Sequence, residues 1–115
     1  MRGELWWAYL GEVESGEIEG HEQEGHRPVL IISNDRFNRC RANMVTVVPL
    51  TEKYRGLPIH YEIEPPEGGL KRTSYAQCEQ IRTISKERLD ERIGLVSSLV
   101  LAEIEIRIKA HLDFS

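Results

Sequence analysis

The chain has 115 residues, 30% of them charged and 40% hydrophobic, with a formal net charge of −4 at pH 7. This is the length of one domain that can bury its own core, and the composition excludes a disordered chain, so residues 1–115 are read as a single domain. No run approaches the roughly 20 apolar residues of a membrane span, and no apolar core with a cleavage site follows the N-terminus, so a cytoplasmic protein with no membrane partner is expected.

Residues 4–10, ELWWAYL, are aromatic and apolar and predict a first strand. GEVESGEIEGHEQEGH follows, rich in Gly and Glu, and predicts a long loop or irregular hairpin. Residues 28–33 form a short apolar strand opened by Pro28. Asn34 and Asp35 can cap a helical turn through about Cys40. Residues 44–50, MVTVVPL, read as a buried strand, and the alternating residues 59–63 as a half-buried one. A turn cluster, PPEGG, separates these from TSYAQCEQIRTI, Thr73 to Ile84, which fits one long strand. Ser85 can cap a helical turn before Leu89, and Arg92 to Val96 reads as a short strand. From Ser97 or Ser98 to about Leu112, the spacing of Leu101, Ile104, Ile108 and Leu112 is helical, although Ile104, Ile106 and Ile108 also alternate. The Ser cap and the length favour the helix. Five or six short strands and a C-terminal helix indicate a mainly β (α+β) domain, a small barrel with the helix packed on it.

Charge is unevenly distributed along this order. Residues 1–26 carry Arg2 against Glu4, Glu12, Glu14, Glu17, Glu19, Glu22 and Glu24. Residues 27–55 carry Arg27, Arg36, Arg39, Arg41, Lys53 and Arg55 against Asp35 and Glu52. A basic middle is the minimum footprint for phosphate, although a mixed solvated surface has the same composition. Cys40 and Cys78 are expected to be reduced thiols. No CxxC or HExxH spacing occurs, so neither a metal site nor a cofactor is expected.

The order of the blocks resembles the MazF/PemK (Kid-like) toxins. Residues 2–10 are similar to that family's opening strand, and GHEQEGHRPVLIISND, residues 20–35, to its G-x-E-x-x-G-x-R-P-V-L-V-V-S-N-D signature. VVPLT (47–51), Leu57-Pro58 with His60, Ser74, EQIRTI (79–84), and Lys86 with Arg88-Leu89 resemble later blocks. The resemblance runs from residue 2 to about 112. It implies an SH3-like barrel, a homodimer, ribosome-independent cleavage of single-stranded RNA at short sequences, and a cognate MazE-like antitoxin. Glu24 departs from the pattern, standing where the family usually has a small residue.

Metal-free RNA cleavage uses the substrate's 2′-OH to attack the adjacent phosphorus, leaving a 2′,3′-cyclic phosphate and a 5′-OH. The site must stabilise phosphoryl charge and move two protons. By resemblance the catalytic residues are Arg27 and Thr51. A guanidinium is always cationic and forks onto two phosphate oxygens, and a Thr hydroxyl can donate to a third or hold the phosphate in line. Taken without the resemblance, Arg27 is an exposed residue at a strand start and Thr51 a β-former at a strand end. Glu22, Gln23, Ser74 and Gln80 match RNA-binding positions, and the Gln80 amide can read a base edge. His21, His26 and His60 titrate near neutral pH, but in an extended chain His26 and Arg27 point to opposite faces, and no His is assigned a catalytic role. Trp6 and Trp7 also face opposite ways, and packing in the core or a dimer interface is their expected task. Two other functions fit the same architecture: a CcdB-like gyrase poison, for which the C-terminus offers only Phe114, and a non-catalytic SH3-like binding module.

Overall fold

The computed structural model describes residues 1–11 and 25–113. Glu22 and Gln23, with His21, Glu24 and Phe114, lie outside the described residues. Seven strands form: β1 (Glu4–Tyr9), β2 (His26–Ile31), β3 (Met44–Thr51), β4 (His60–Ile63), β5 (Ser74–Gln77), β6 (Arg82–Ser85) and β7 (Leu89–Leu95). Two α-helices complete the fold, α1 (Asp35–Asn38) and α2 (Ser98–Leu112). Every described pairing is antiparallel, in the order β4-β5-β3-β2-β1-β7, with β6 also on β3.

The central strand is β3, and it changes partner along its length. Met44 to Val47 pair with β6, and Leu50 and Thr51 pair with β5. Pro49, buried and without an N–H to donate, lies between the two stretches. The expected single strand from Thr73 to Ile84 is therefore two, β5 and β6, separated by a 3₁₀ turn over Cys78–Gln80. The turn moves the chain from one end of β3 to the other while Cys78 stays fully buried. The last strand is longer than Arg92 to Val96, beginning at Leu89.

Strands β6 and β7 stand at opposite ends of the run β6-β3-β2-β1-β7, yet only the 3₁₀ turn Lys86–Arg88 joins them. The sheet must therefore curl almost into a roll. It is not closed, because among the described residues β6 and β7 do not pair. One face buries Ala8, Leu10, Val29, Ile31, Val45, Val47 and Ile84 inside the curl, with Trp6 and Leu89 packed against them. The other face buries Leu5, Leu30, Val48, Leu50, Ile63 and Ala76, and α2 covers it with Val100 and Ile104. Each fully buried aliphatic side chain contributes about 1.5–3 kcal/mol of transfer free energy.

The predicted caps form. Asn34 accepts the Phe37 N–H at 2.8 Å, Ser85 the Glu87 N–H at 3.2 Å and Ser97 the Val100 N–H at 3.3 Å. The Ser97 N–H in turn donates to Glu67 at 2.6 Å, so the start of α2 is tied to the turn that precedes β5. That turn packs closely on β7, where a Cβ on Gly94 would stand 2.2 Å from the Gly68 carbonyl oxygen.

Candidate active site

The ladder between β2 and β3 opposes Val29 to Pro49 and Ile31 to Val47. Continued by two residues, the same register sets Arg27 across from Thr51. Both then share the face of Val29 and Val47, because side chains two apart on a strand point the same way. The ladder itself ends at Val29 and Pro49, and just beyond it Arg27 and Thr51, 24 positions apart in sequence, lie on the same face of the two strands.

Arg27 is half-buried, and its Nη2–H donates to the Gln77 side-chain oxygen from β5. The amide oxygen of Gln77 helps to orient the guanidinium, which is always cationic. Thr51 is 2% exposed and acts as a fixed hydroxyl on the floor of the site. The Lys53 N–H donates to Thr51 Oγ1 at 3.1 Å. Accepting this bond leaves the Thr51 O–H available to donate to an anionic oxygen.

Further residues extend the same face. Thr51 opposes Tyr75, which opposes Glu62, and Gln77 opposes His60. His60 has a side chain only 4% exposed, with Nε2 held 3.0 Å from Glu79 Oε2. Burial, and then the Glu62 carboxylate, push the Tyr75 phenol above its usual range, so it stays protonated.

The other expected contact residues are dispersed. Ser74 opposes Ile63 and is buried on the helix-covered side of the sheet, where its hydroxyl donates to the Arg72 carbonyl at 3.1 Å. It lines a cavity of about 380 Å³ with Trp7, Pro28, Glu52 and Arg72, on the opposite face from Arg27 and Thr51. Gln80 lies in the 3₁₀ turn after β5 rather than on a strand. The polar residue that meets Arg27 is Gln77, three positions earlier, which sequence reasoning missed. The basic middle divides as well. Arg36, Arg39 and Arg41 lie before Met44, roughly 23 Å of strand from Thr51, whereas Lys53 and Arg55 follow Thr51 directly. His26 is on the face away from Arg27, stacked between Trp7 and Tyr9 with ring centroids 5.0 and 4.4 Å away. Trp6 packs against the core as expected, its indole N–H donating to Glu4 at 3.0 Å.

Comparison with known proteins places this geometry in context. Residues 1–112 match the model of the family described as PemK-like, MazF-like toxin of type II toxin-antitoxin system. Endoribonuclease MazF9 of Mycobacterium tuberculosis (strain ATCC 25618 / H37Rv) is 37% identical, over 97% of this chain and 95% of the relative. Endoribonuclease EndoA of Bacillus subtilis (strain 168) is 33% identical over 75% of each. Among solved structures, an endoribonuclease from a mycobacterial species superposes with a TM-score of 0.76 at 25% identity, over 98% of this chain and 90% of that one. MazF from Deinococcus radiodurans shares the fold with a TM-score of 0.76 at 23% identity, over 96% and 94% of the two chains.

Proposed function

The chain belongs to the PemK-like, MazF-like toxins of type II toxin–antitoxin systems and is an endoribonuclease, and from that premise we propose that Arg27 and Thr51 are its catalytic pair. The observation that supports this reading is the β2–β3 register, which on extension sets Arg27, oriented by Gln77, and the Thr51 hydroxyl on one face of the sheet. Substrate is single-stranded RNA, cut at a short sequence without a ribosome or a metal ion. The ribose 2′-oxygen attacks the adjacent phosphorus as its proton is removed, and the bond from phosphorus to the 5′-oxygen breaks. The departing oxygen takes up a proton, giving 2′,3′-cyclic phosphate and 5′-OH ends. Arg27 binds the non-bridging oxygens as they gain charge, while Thr51 donates to one of them and holds the phosphorus in line.

Glu22 and Gln23 are assigned to RNA binding through the family signature. Ser74 and Gln80 are assigned in the same way, with Ser74 reached from the Trp7 side of the sheet. The partner that silences the toxin is a MazE-like antitoxin, as the name of the family implies. The protein acts in the cytoplasm, where its RNA is; no helix among the described residues is long and apolar enough to cross a membrane. It works as a homodimer. Leu95, Leu99 and Ile106 are 59%, 66% and 58% exposed, and Leu99 and Ile106 lie two turns apart on one side of α2, an apolar surface suited to a second copy. The endoribonuclease relatives favour this reading over a gyrase poison or a non-catalytic module.

The deciding experiment incubates the protein and its Arg27→Ala variant with a long single-stranded RNA in EDTA and maps the ends. Cuts at one short motif with 5′-OH ends, absent in the variant, are expected. Equal cutting by the variant removes Arg27 from the mechanism.

A further inference from the structure

Arg27 is the second residue of β2, close to the end of the strand. The ladder with β3 begins at Val29, so among the described residues β2 is paired at Arg27 with β1 alone. The next residue, Pro28, has no N–H to give to either neighbour. Ends of elements fray, and a side chain borne on a fraying end is not held to one point. Gln77 helps to orient the tip of the Arg27 side chain, which leaves the backbone beneath it to be fixed by other contacts.

The residue before Arg27 supplies an anchor on the other face of the sheet. The His26 imidazole stacks on the Trp7 and Tyr9 rings of β1, with centroids 5.0 and 4.4 Å away and planes inclined by 27° and 21°. Its Nε2 stands 3.4 Å from Asp90 Oδ2 of β7. One side chain of β2 thus rests on β1 and reaches across it to β7, engaging three adjacent strands. The support beneath it is itself tied down. The Leu10 N–H donates to the Gly25 carbonyl at 2.7 Å, and Arg88 Nη1 donates to the Tyr9 carbonyl at 3.1 Å. His26 and Arg27 share one rigid, planar peptide unit, so a fixed His26 leaves the Arg27 backbone little freedom.

We infer that His26, through its stack on Trp7 and Tyr9, is a positioning residue that fixes the root of the Arg27 side chain and so holds the guanidinium at the scissile phosphate. Its ring lies on the face away from Arg27, so it touches neither the substrate nor the reacting atoms. Arg27 is then supported twice, by Gln77 at its tip and by His26 behind the sheet. A misplacement of about 1 Å is enough to cost a preorganised group much of its effect, so loosening is read in the rate more than in substrate affinity. This inference rests on the RNA-cleavage reading above.

The test measures kcat and KM on a fluorogenic RNA for His26→Ala, His26→Phe and Tyr9→Ala, and for His26→Ala combined with Arg27→Ala. Tyr9 is 52% exposed, so its replacement leaves the fold intact. His26→Ala should lower kcat about tenfold with KM kept within about twofold. Tyr9→Ala should lower kcat about threefold, and His26→Phe, which keeps the stack, should retain most of the rate. In the Arg27→Ala background His26→Ala should leave the residual rate unchanged, because the group it positions is gone. An equal fold-loss in both backgrounds, no loss in the parent background, or a His26→Phe variant as slow as His26→Ala overturns the inference. In parallel, the backbone order parameter of Arg27 is measured by NMR without RNA, and should fall from about 0.85 in the parent toward 0.6 in His26→Ala. That fall in a protein that cuts no RNA would uphold the anchor and remove the nuclease reading. Cutting that depends on Arg27, with no such fall, removes the anchor alone.

Discussion

At the scale of single residues, the proposed site rests on the Arg27 guanidinium and on Gln77, which helps to aim it. Arg27→Ala should lower the cleavage rate by about 10²–10³-fold, as loss of a preorganised charge stabiliser does. Arg27→Lys should recover little, since an ammonium cannot fork onto two oxygens. Gln77→Ala tests orientation separately from charge: the rate should fall about tenfold while substrate binding is nearly kept, a split read from kcat and KM of a fluorogenic RNA. The two cysteines should separate by reactivity. Cys40 is exposed, and burial pushes the Cys78 thiol up to about 11. A thiol reagent at pH 8 should therefore modify one thiol in the folded protein and two in denaturant. As candidates, Arg27 and Thr51 were legible in the sequence through the motifs around them. Gln77 was not, because a Gln inside a strand has no local signature and its meaning depends on which strand lies opposite.

At the scale of elements, α2 supplies the cover for one face of the sheet. Ile104 is fully buried there, and Ile104→Ala should destabilise the protein by about 2–5 kcal/mol, seen as a lower urea midpoint with an unchanged slope. The helix and its cap were readable because the apolar spacing over residues 100–108 and Ser97 agree. The strands β1 to β4 were readable because each holds aromatic or β-branched residues. The break between β5 and β6 was not. Cys78, Glu79 and Gln80 include neither Gly nor Pro, and the 3₁₀ turn exists because β3 exchanges one partner for the other at Pro49. A turn imposed by a neighbouring strand leaves no mark on its own residues.

At the scale of the molecule, acid should loosen the N-terminal end first. Burial raises the Glu4 carboxyl, but hydrogen bonds from Trp6 and Arg92 outweigh it and hold the group below 4.5. The Arg2 backbone N–H holds Asp35 below 3.8. The unfolded chain therefore binds more protons in this range. The stability these groups contribute is complete above about pH 4.5 and is lost as pH falls through their lowered values. Glu4→Gln should make the urea midpoint less sensitive to pH below 4.5. Light scattering at micromolar concentration should give the mass of a dimer, and Leu99→Lys with Ile106→Lys should shift it toward the monomer. The curl of the sheet also imposes an order of completion on the chain during synthesis. β1 is made first, yet one of its two edges waits for β7, and the core beneath Leu5 and Leu30 stays uncovered until α2 follows. Arg27 and Thr51 are synthesised early but stand on a sheet that cannot be finished until β7 has been made. A polypeptide released before residue 89 would lack both β7 and α2, leaving one edge of β1 unpaired and the core beneath Leu5 and Leu30 open to water.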